Sequence, residues 1–293
     1  INADKMPYVS ASYSGGLSDP KKTPYNLYAA SDYSTNARAA LTAWYEEVWK
    51  KSDKFKAERD AGAKPRFVAF YGWATPYANA PIKAIKDQAK LLGIEVGPDQ
   101  DVPLTALDTK SQVLAAKEFK PHIVWHGNTT MSVATALKDA AALGLGADHI
   151  VNNWGFDENL PKLAGAAAND VIGIAVNAFY GENVPGMDKV VASAAKYNPA
   201  AKDRLIRTVQ AWANVLVLSE AMKRADKAGE LNGPGIMKQF ETLANYDVGL
   251  GVQPLTYTAA DHLAASNVRI YQIKSGKFSL LKIKCPLKET FPI

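Results

Sequence analysis

The stretch PRFVAFYGWATPYANAPIKAIKDQAKLLGIEV, residues 65–96, decides the fold. Its first seven residues form a nearly continuous apolar run, which predicts a buried strand over residues 65–71. A helix is predicted over residues 81–92, because proline occupies its first turn, apolar residues recur along one face and Gly93 follows its end. Residues 94–96 predict the next strand. A strand, a helix and a second strand in this order indicate a parallel βαβ unit.

The same alternation continues on both sides of this stretch. Further strands are predicted over residues 8–10, 122–125, 149–152, 171–176, 255–257, 268–274 and 278–283, the last two joined by a tight hairpin through Ser275 and Gly276. Further helices are predicted over residues 34–51, 110–119, 131–143, 158–163, 187–197, 202–229 and 236–244. The predicted fold class is therefore α/β, with doubly wound parallel sheets and a ligand at the carboxyl ends of the strands. A chain of 293 residues is long enough for two domains.

Composition excludes several classes of function. The formal charge of +5 comes from 34 basic and 29 acidic residues that are mixed along the chain, so no nucleic-acid partner is expected. No apolar run approaches the roughly 20 residues that a membrane span needs. The single cysteine, Cys285, predicts no internal disulfide. The opening INADKMPYVSAS lacks the features of a signal peptide, which suggests a processed mature start or a fragment.

No common catalytic motif is present in the sequence. It contains no G-x-S-x-G, no P-loop, no H-E-x-x-H and no C-x-x-C. None of its four histidines, His122, His126, His149 and His262, has a partner four residues away on a predicted helix. We therefore expect no catalytic residues, no metal and no cofactor.

Neutral polar and aromatic residues follow four of the predicted strands. These residues are Ser10, Ser12, Tyr13 and Ser14 after the first strand, Trp73 and Tyr77 after the second, Asn128, Thr129 and Thr130 after HIVWHG, and Asn152, Asn153 and Trp154 after HIVNN. Hydrogen-bonding groups and rings that converge at strand ends are what a small-molecule site needs. Each aromatic residue could instead serve in structural packing, but their recurrence favours a binding site.

Five segments together resemble a known family. They are PYVSASYSGGLSD (7–19), VAFYGWATPYANAPIKAIKDQAKLLG (68–93), HIVWHGNTTMSVATALKDAAALGL (122–145), AWANVLVLSEAMKRA (211–225) and PLTYTAADHLAASNVRIYQIKSGKF (254–278). The family is that of the periplasmic Leu/Ile/Val-binding proteins, the type I solute-binding proteins of ABC importers. The resemblance implies two α/β lobes joined by three crossing strands, which close on a solute like a hinge. The first lobe would comprise residues 1–62 and 178–254, and the second residues 63–177 and 255–293 with the hinge strands. Family members carry roughly a hundred more residues ahead of the PYVSAS-like strand, so the first lobe is expected to be incomplete here.

The resemblance also implies roles for particular residues. Ser12 and Ser14 match the loop that holds the solute carboxylate through backbone N–H groups and a hydroxyl. Tyr77 matches a tyrosine of the second lobe, and Thr129 occupies the position of a further aromatic residue. The family's acid, which pairs with the ammonium of an amino acid, falls on Asn153 or Trp154, although a shifted alignment would place it on Asp157.

The missing acid changes the expected solute. A buried ammonium without an anionic partner is costly, so a carboxylate without an ammonium is favoured, such as an aromatic or short aliphatic acid. Trp73, Tyr77 and Trp154 would supply its stacking walls. The predicted ligand-binding set is Ser12, Ser14, Trp73, Tyr77, Asn128, Thr129, Asn153 and Trp154.

The resemblance therefore implies a periplasmic, monomeric solute-binding protein that serves a membrane-bound ABC permease. An amino-acid-binding protein of the same family is one alternative. A ligand-sensing domain of a regulator or receptor is another, since the same clamp is used in signalling. An enzyme is a third, and it would convert the solute to product.

Overall fold

The structure, a computed structural model, describes residues 1–201 and 203–281. Cys285 and the last two positions of the strand predicted over residues 278–283 lie outside the described residues. Ten strands are found within the described ranges: β1 (Tyr8–Val9), β2 (Asn26–Leu27), β3 (Arg66–Tyr71), β4 (Glu95–Val96), β5 (Gln100–Asp101), β6 (Ile123–His126), β7 (Asp148–Val151), β8 (Ile172–Ala175), β9 (Arg269–Lys274) and β10 (Lys277–Leu280).

The described α-helices lie between these strands, singly from β5 to β8 and in groups of two or three elsewhere. They are α1 (Tyr33–Trp44), α2 (Lys56–Asp60), α3 (Pro76–Asn79), α4 (Ile82–Leu91), α5 (Lys110–Phe119), α6 (Thr130–Ala142), α7 (Asn159–Ala164), α8 (Met187–Tyr197), α9 (Ile206–Lys227) and α10 (Gly233–Phe240). A π-helical turn, Tyr45–Trp49, continues α1. This order confirms the predicted α/β fold class.

The chain divides into two compact units. The first consists of Ile1–Tyr33 and Val176–Val268, and the second of Ser34–Ala175 and the segment that begins at Arg269. The chain therefore passes from one unit to the other three times.

An eight-stranded sheet forms the centre of the second unit. Its hydrogen-bonded order is β10-β9-β8-β7-β6-β3-β4, and β5 also pairs with β3. Strands β4, β5, β3, β6, β7 and β8 are parallel, whereas β9 is antiparallel to both β8 and β10. From β3 the chain continues to β4 on one side, and from β6 it continues to β7 on the other. The carboxyl ends of β3 and β6 thus form a topological switch point, where open α/β sheets bind their ligands.

Both faces of this sheet are buried. On one face, Val68, Phe70 and Val124 pack against residues of α5 and α6. On the other face, Phe67 and Trp125 are equally inaccessible to solvent. Burial on both faces explains why β3 appears in the sequence as an apolar run rather than as an alternating pattern.

Helices dominate the first unit. Leu27 of β2 belongs to a core in which Val209, Val217 and Ala221 form the inner stripe of α9 and Phe240 comes from α10. Strand β1 pairs with β2 in parallel. These two short strands are the only sheet of this unit within the described residues.

The unit boundaries differ from the predicted lobe boundaries. Residues 34–62, predicted for the first lobe, pack in the second unit, because Trp44 Nε1 and Lys54 Nζ both reach the carboxylate of Asp148, at 2.8 and 2.5 Å. Residues 255–268, predicted for the second lobe, pack in the first unit, where the hydroxyl of Tyr257 donates to the carbonyl of Tyr28 at 3.0 Å. The correspondence of the two units with the family's two lobes remains a prediction.

Most predicted elements are confirmed within a few residues. The hairpin lies where expected, with positive φ at Ser275 and Gly276, as a two-residue turn of this type requires. The strand predicted over residues 255–257 is wrong. Leu255 makes only an isolated bridge to Tyr246, because the following N–H groups bond elsewhere, that of Thr256 to the carbonyl of Ala264 and that of Tyr257 to the carbonyl of Leu243.

Candidate functional site

Six of the eight predicted binding residues lie at one edge of the second unit's sheet. Trp73 and Tyr77 follow β3, Asn128 and Thr129 follow β6, and Asn153 and Trp154 follow β7. Because parallel strands end at the same edge, these three loops share the end of the sheet that contains the switch point. The remaining two, Ser12 and Ser14, lie together in the first unit.

The loop after β3 is fixed by hydrogen bonds to its backbone. The N–H of Gly72 donates to Oδ1 of Asn128 at 2.9 Å, and the N–H of Trp73 donates to Oδ1 of Asp101 at 3.0 Å. The side-chain amide of Asn79 donates to the carbonyl of Trp73. The indole of Trp73 is nevertheless 53% exposed, and Tyr77 is half-buried. The hydrogen bonds therefore fix the backbone that carries the accessible ring of Trp73. A fixed backbone lowers the entropy cost of binding a solute to this ring.

Asn128 joins two neighbouring loops. Its Oδ1 accepts from Gly72, and its Nδ2 donates to the carbonyl of Val102 at 2.6 Å. The side chain is almost wholly buried. Its position at a strand end was predicted, but these two bonds give it a positioning role, and direct contact with a solute remains a prediction.

The loop after β7 is organised in the same way around Asn152. Its Oδ1 accepts from the N–H groups of Trp154 and Gly155 at 2.7 and 3.0 Å, and its Nδ2 donates to the carbonyl of Gly127. Trp154 is half-buried and Asn153 is buried. The fixed turn therefore positions Asn153 and Trp154, the two residues on which the acid of amino-acid-binding relatives is expected to fall.

The carboxylate of Asp157 accepts hydrogen bonds from residues of the second unit. Its Oδ2 accepts from the hydroxyl of Thr130 at 2.8 Å, and its Oδ1 accepts from the N–H of Asn159 at the start of α7. The carboxylate is buried. These two bonds connect α6 to α7 and give the acid a structural function.

The loop after β1 carries Ser12 and Ser14. The N–H of Ser12 donates to Oγ of Ser10 at 2.9 Å, and the carbonyl of Ser14 accepts from the N–H of Leu17 at 2.9 Å. Between the two half-buried serines, Tyr13 is fully buried, and burial raises its pKa well above the usual value. Tyr13 thus anchors a loop whose neighbouring hydroxyls remain partly accessible.

His126, which is buried, and His149, which is half-buried, form a pair on adjacent strands. Nε2 of His126 lies 3.0 Å from Nδ1 of His149. Burial lowers the pKa of both rings, that of His149 to about 4, where Asp148 raises it and Lys54 lowers it to a lesser extent. Within the described residues, no three histidine, cysteine, aspartate or glutamate side chains are grouped so as to hold a metal ion.

The pair predicts a loss of stability in acid. The folded-state pKa of His149 is below its ordinary value of 6.5, so unfolding takes up protons between pH 6.5 and about 4. We expect the free energy of unfolding to fall by about 2 kcal/mol from pH 7 to about pH 4.5 through this residue. Urea unfolding of the wild type and of His149→Asn measures this, and parallel pH profiles for the two proteins would contradict it.

A family model for periplasmic binding proteins matches residues 1–277. The chain belongs to this family. Solved structures agree, and one is a substrate-binding protein of an ABC transporter from Aeropyrum pernix, 28% identical, covering 99% of this chain and 76% of that chain with a TM-score of 0.80. A valine-bound branched-chain amino-acid ABC transporter protein from Thermus thermophilus is 22% identical, covering 95% of this chain and 72% of that one, with a TM-score of 0.80. A search of curated proteins found no match.

A third solved structure has another solute in its name. The fatty acid ABC transporter substrate-binding protein from Thermomonospora curvata is 18% identical, with a TM-score of 0.83, covering 100% of this chain and 73% of that one. These findings confirm the predicted resemblance to type I periplasmic binding proteins of the branched-chain amino-acid type.

Periplasmic binding proteins of ABC transporters act outside the cytoplasm, bind small molecules, interact with membrane permeases and are not enzymes. Among the described helices, none combines the length and the apolar character needed to cross a bilayer.

Proposed function

We propose that this periplasmic binding protein is the monomeric, exported solute-binding component of an ABC importer and that it binds a small carboxylate, either an aromatic or a short aliphatic acid. Ser12 and Ser14 hold its carboxylate, and the loops that carry Trp73, Tyr77 and Trp154 contact its apolar part.

The observation that carries the proposal concerns Asp157, the acid at the carboxyl edge of the second unit's sheet, which is already engaged in hydrogen bonds within that unit. An amino-acid site needs an anion for the ammonium, because a buried charge without a partner is strongly destabilising. Asp157, the acid that could serve, already accepts hydrogen bonds from Thr130 and Asn159. The two positions on which the family's acid falls, Asn153 and Trp154, carry an amide and an indole, and the indole favours contact with an apolar group.

The relatives leave both classes of solute open. The Thermus thermophilus protein has bound valine, and the Thermomonospora curvata protein is named for fatty acids. Isothermal titration with benzoate, hexanoate and leucine separates the classes for this chain. We expect the acids to bind and leucine to bind weakly, and tight binding of leucine alone would contradict the proposed solute class.

Replacing Trp73 with alanine is expected to weaken binding of benzoate about tenfold, since a stacking ring is lost. The free energy of unfolding should change by less than about 0.5 kcal/mol, because the indole is largely exposed. Tyr197→Ala is the matched control, since this aromatic residue of α8 is 75% exposed and lies in the other unit. Equal benzoate affinity of wild type and Trp73→Ala would remove Trp73 from the site.

A further inference from the structure

Helix α9 begins beside the loop that carries Ser12 and Ser14. The side-chain amide of Gln210, on the second turn of α9, donates to the hydroxyl of Tyr13, and both residues are buried. The carbonyl of Tyr13 accepts from the N–H of Tyr33 at 2.9 Å. The loop is thus tied to the first turns of α9, although about two hundred residues of sequence separate them.

Arg207 lies one turn before Gln210 on this helix. Residues three apart share a helix face, so the guanidinium leaves α9 on the side that holds Tyr13. Its charge is close enough to oppose, in part, the rise that burial causes in the pKa of Tyr13. The side chain is half-buried, and the start of the helix is held where Nδ2 of Asn177 donates to the carbonyl of Ile206 at 3.3 Å.

An anion at this loop would also meet a negative charge. Asp32 is buried against the loop, and its Oδ2 lies 2.7 Å from the position that a Cβ on Gly15 would occupy. A cation nearby would therefore favour the binding of a solute carboxylate at Ser12 and Ser14. Arg207 is a cation on the face of α9 that meets this loop.

We propose that Arg207 is a solute-binding residue that offsets the negative charge of the solute and so determines the protein's preference for anions. The proposal rests on the proposed function, because it assumes that the carboxylate binds at the Ser12–Ser14 loop. Arg207 would add a cation to a site otherwise formed by neutral hydroxyl and N–H donors. A guanidinium can form bidentate hydrogen bonds with a carboxylate.

The test compares Arg207→Gln with Arg224→Gln. Both variants lose one positive charge from α9, but position 224 lies 17 residues, about 25 Å, further along the helix, where Arg224 pairs with Glu220 at 2.7 Å. Benzoate, hexanoate, leucine and the neutral benzamide are titrated by calorimetry into both variants and the wild type. Urea midpoints establish that each variant is folded.

Arg207→Gln should lower the affinity for every carboxylate that the wild type binds by about tenfold or more. Its affinity for benzamide, and all affinities of Arg224→Gln, should stay within about twofold of the wild-type values. Unchanged carboxylate affinity in Arg207→Gln would overturn the role of Arg207 and leave the proposed function standing. An equal loss for benzoate and benzamide would also overturn it, because that loss indicates a structural role. A wild type that binds none of the three carboxylates would overturn both proposals.

Discussion

Replacing Asn128 with alanine is expected to lower the free energy of unfolding by about 3 kcal/mol. The substitution leaves two buried backbone groups without a partner, the N–H of Gly72 and the carbonyl of Val102. Each unpaired group costs about 1–3 kcal/mol, because water cannot replace the lost bond. Urea unfolding of the wild type and the variant gives this difference directly.

Thr129→Ala is the matched control for Asn128→Ala. Thr129 is the next residue, is half-buried and makes no side-chain hydrogen bond to the start of α6. Its replacement should change the free energy of unfolding by less than about 1 kcal/mol. If Asn128→Ala were as stable as this control, the side chain would be free to bind solute, and its role in fixing the loops would be wrong.

Replacing Gly173 with alanine is the second substitution with a large expected effect. A Cβ at this position of β8 would lie 2.0 Å from Cδ2 of Phe156. Phe156 is fully buried, and its ring packs edge-on against Phe278 with centroids 5.1 Å apart, so the ring cannot move away freely. We expect a loss of about 3 kcal/mol in the free energy of unfolding, as overpacked cores show.

Two further variants decide whether the clash causes this loss. Gly16→Ala makes the same chemical change where no atom beyond the adjacent residues lies within 4 Å of the new Cβ, and it should be nearly neutral. Combining Gly173→Ala with Phe156→Leu should cost less than the sum of the two single changes, because the smaller side chain makes room. Additive losses would contradict the proposed clash.

Secondary-structure elements could be predicted from the sequence where their own residues determine their type and their ends. The apolar run of β3 and the helix α5, predicted over residues 110–119 and observed as Lys110–Phe119, carry their own periodicity and end signals. Strands β2 and β5 were missed, since each has two residues and no alternating pattern. Their pairing is decided by neighbouring strands and not by their own sequence.

The roles of the site residues depended on contacts that the sequence does not contain. A strand-end asparagine can face a solute or fix a loop, and Asn128 fixes Gly72, 56 residues away. Residues 34–62 carried no local sign that Trp44 and Lys54 would meet Asp148. Arg207 was overlooked for the same reason, because its proximity to the Ser12–Ser14 loop arises only when α9 packs against β1.

The proposed function predicts that this protein binds a carboxylate in preference to the corresponding amino acid. 3-Phenylpropanoate and phenylalanine test it most directly, since they share a ring and a carboxylate and differ only in the α-ammonium. In parallel calorimetric titrations of the wild type, we expect 3-phenylpropanoate to bind about a hundredfold more tightly than phenylalanine. Equal or tighter binding of phenylalanine would contradict it.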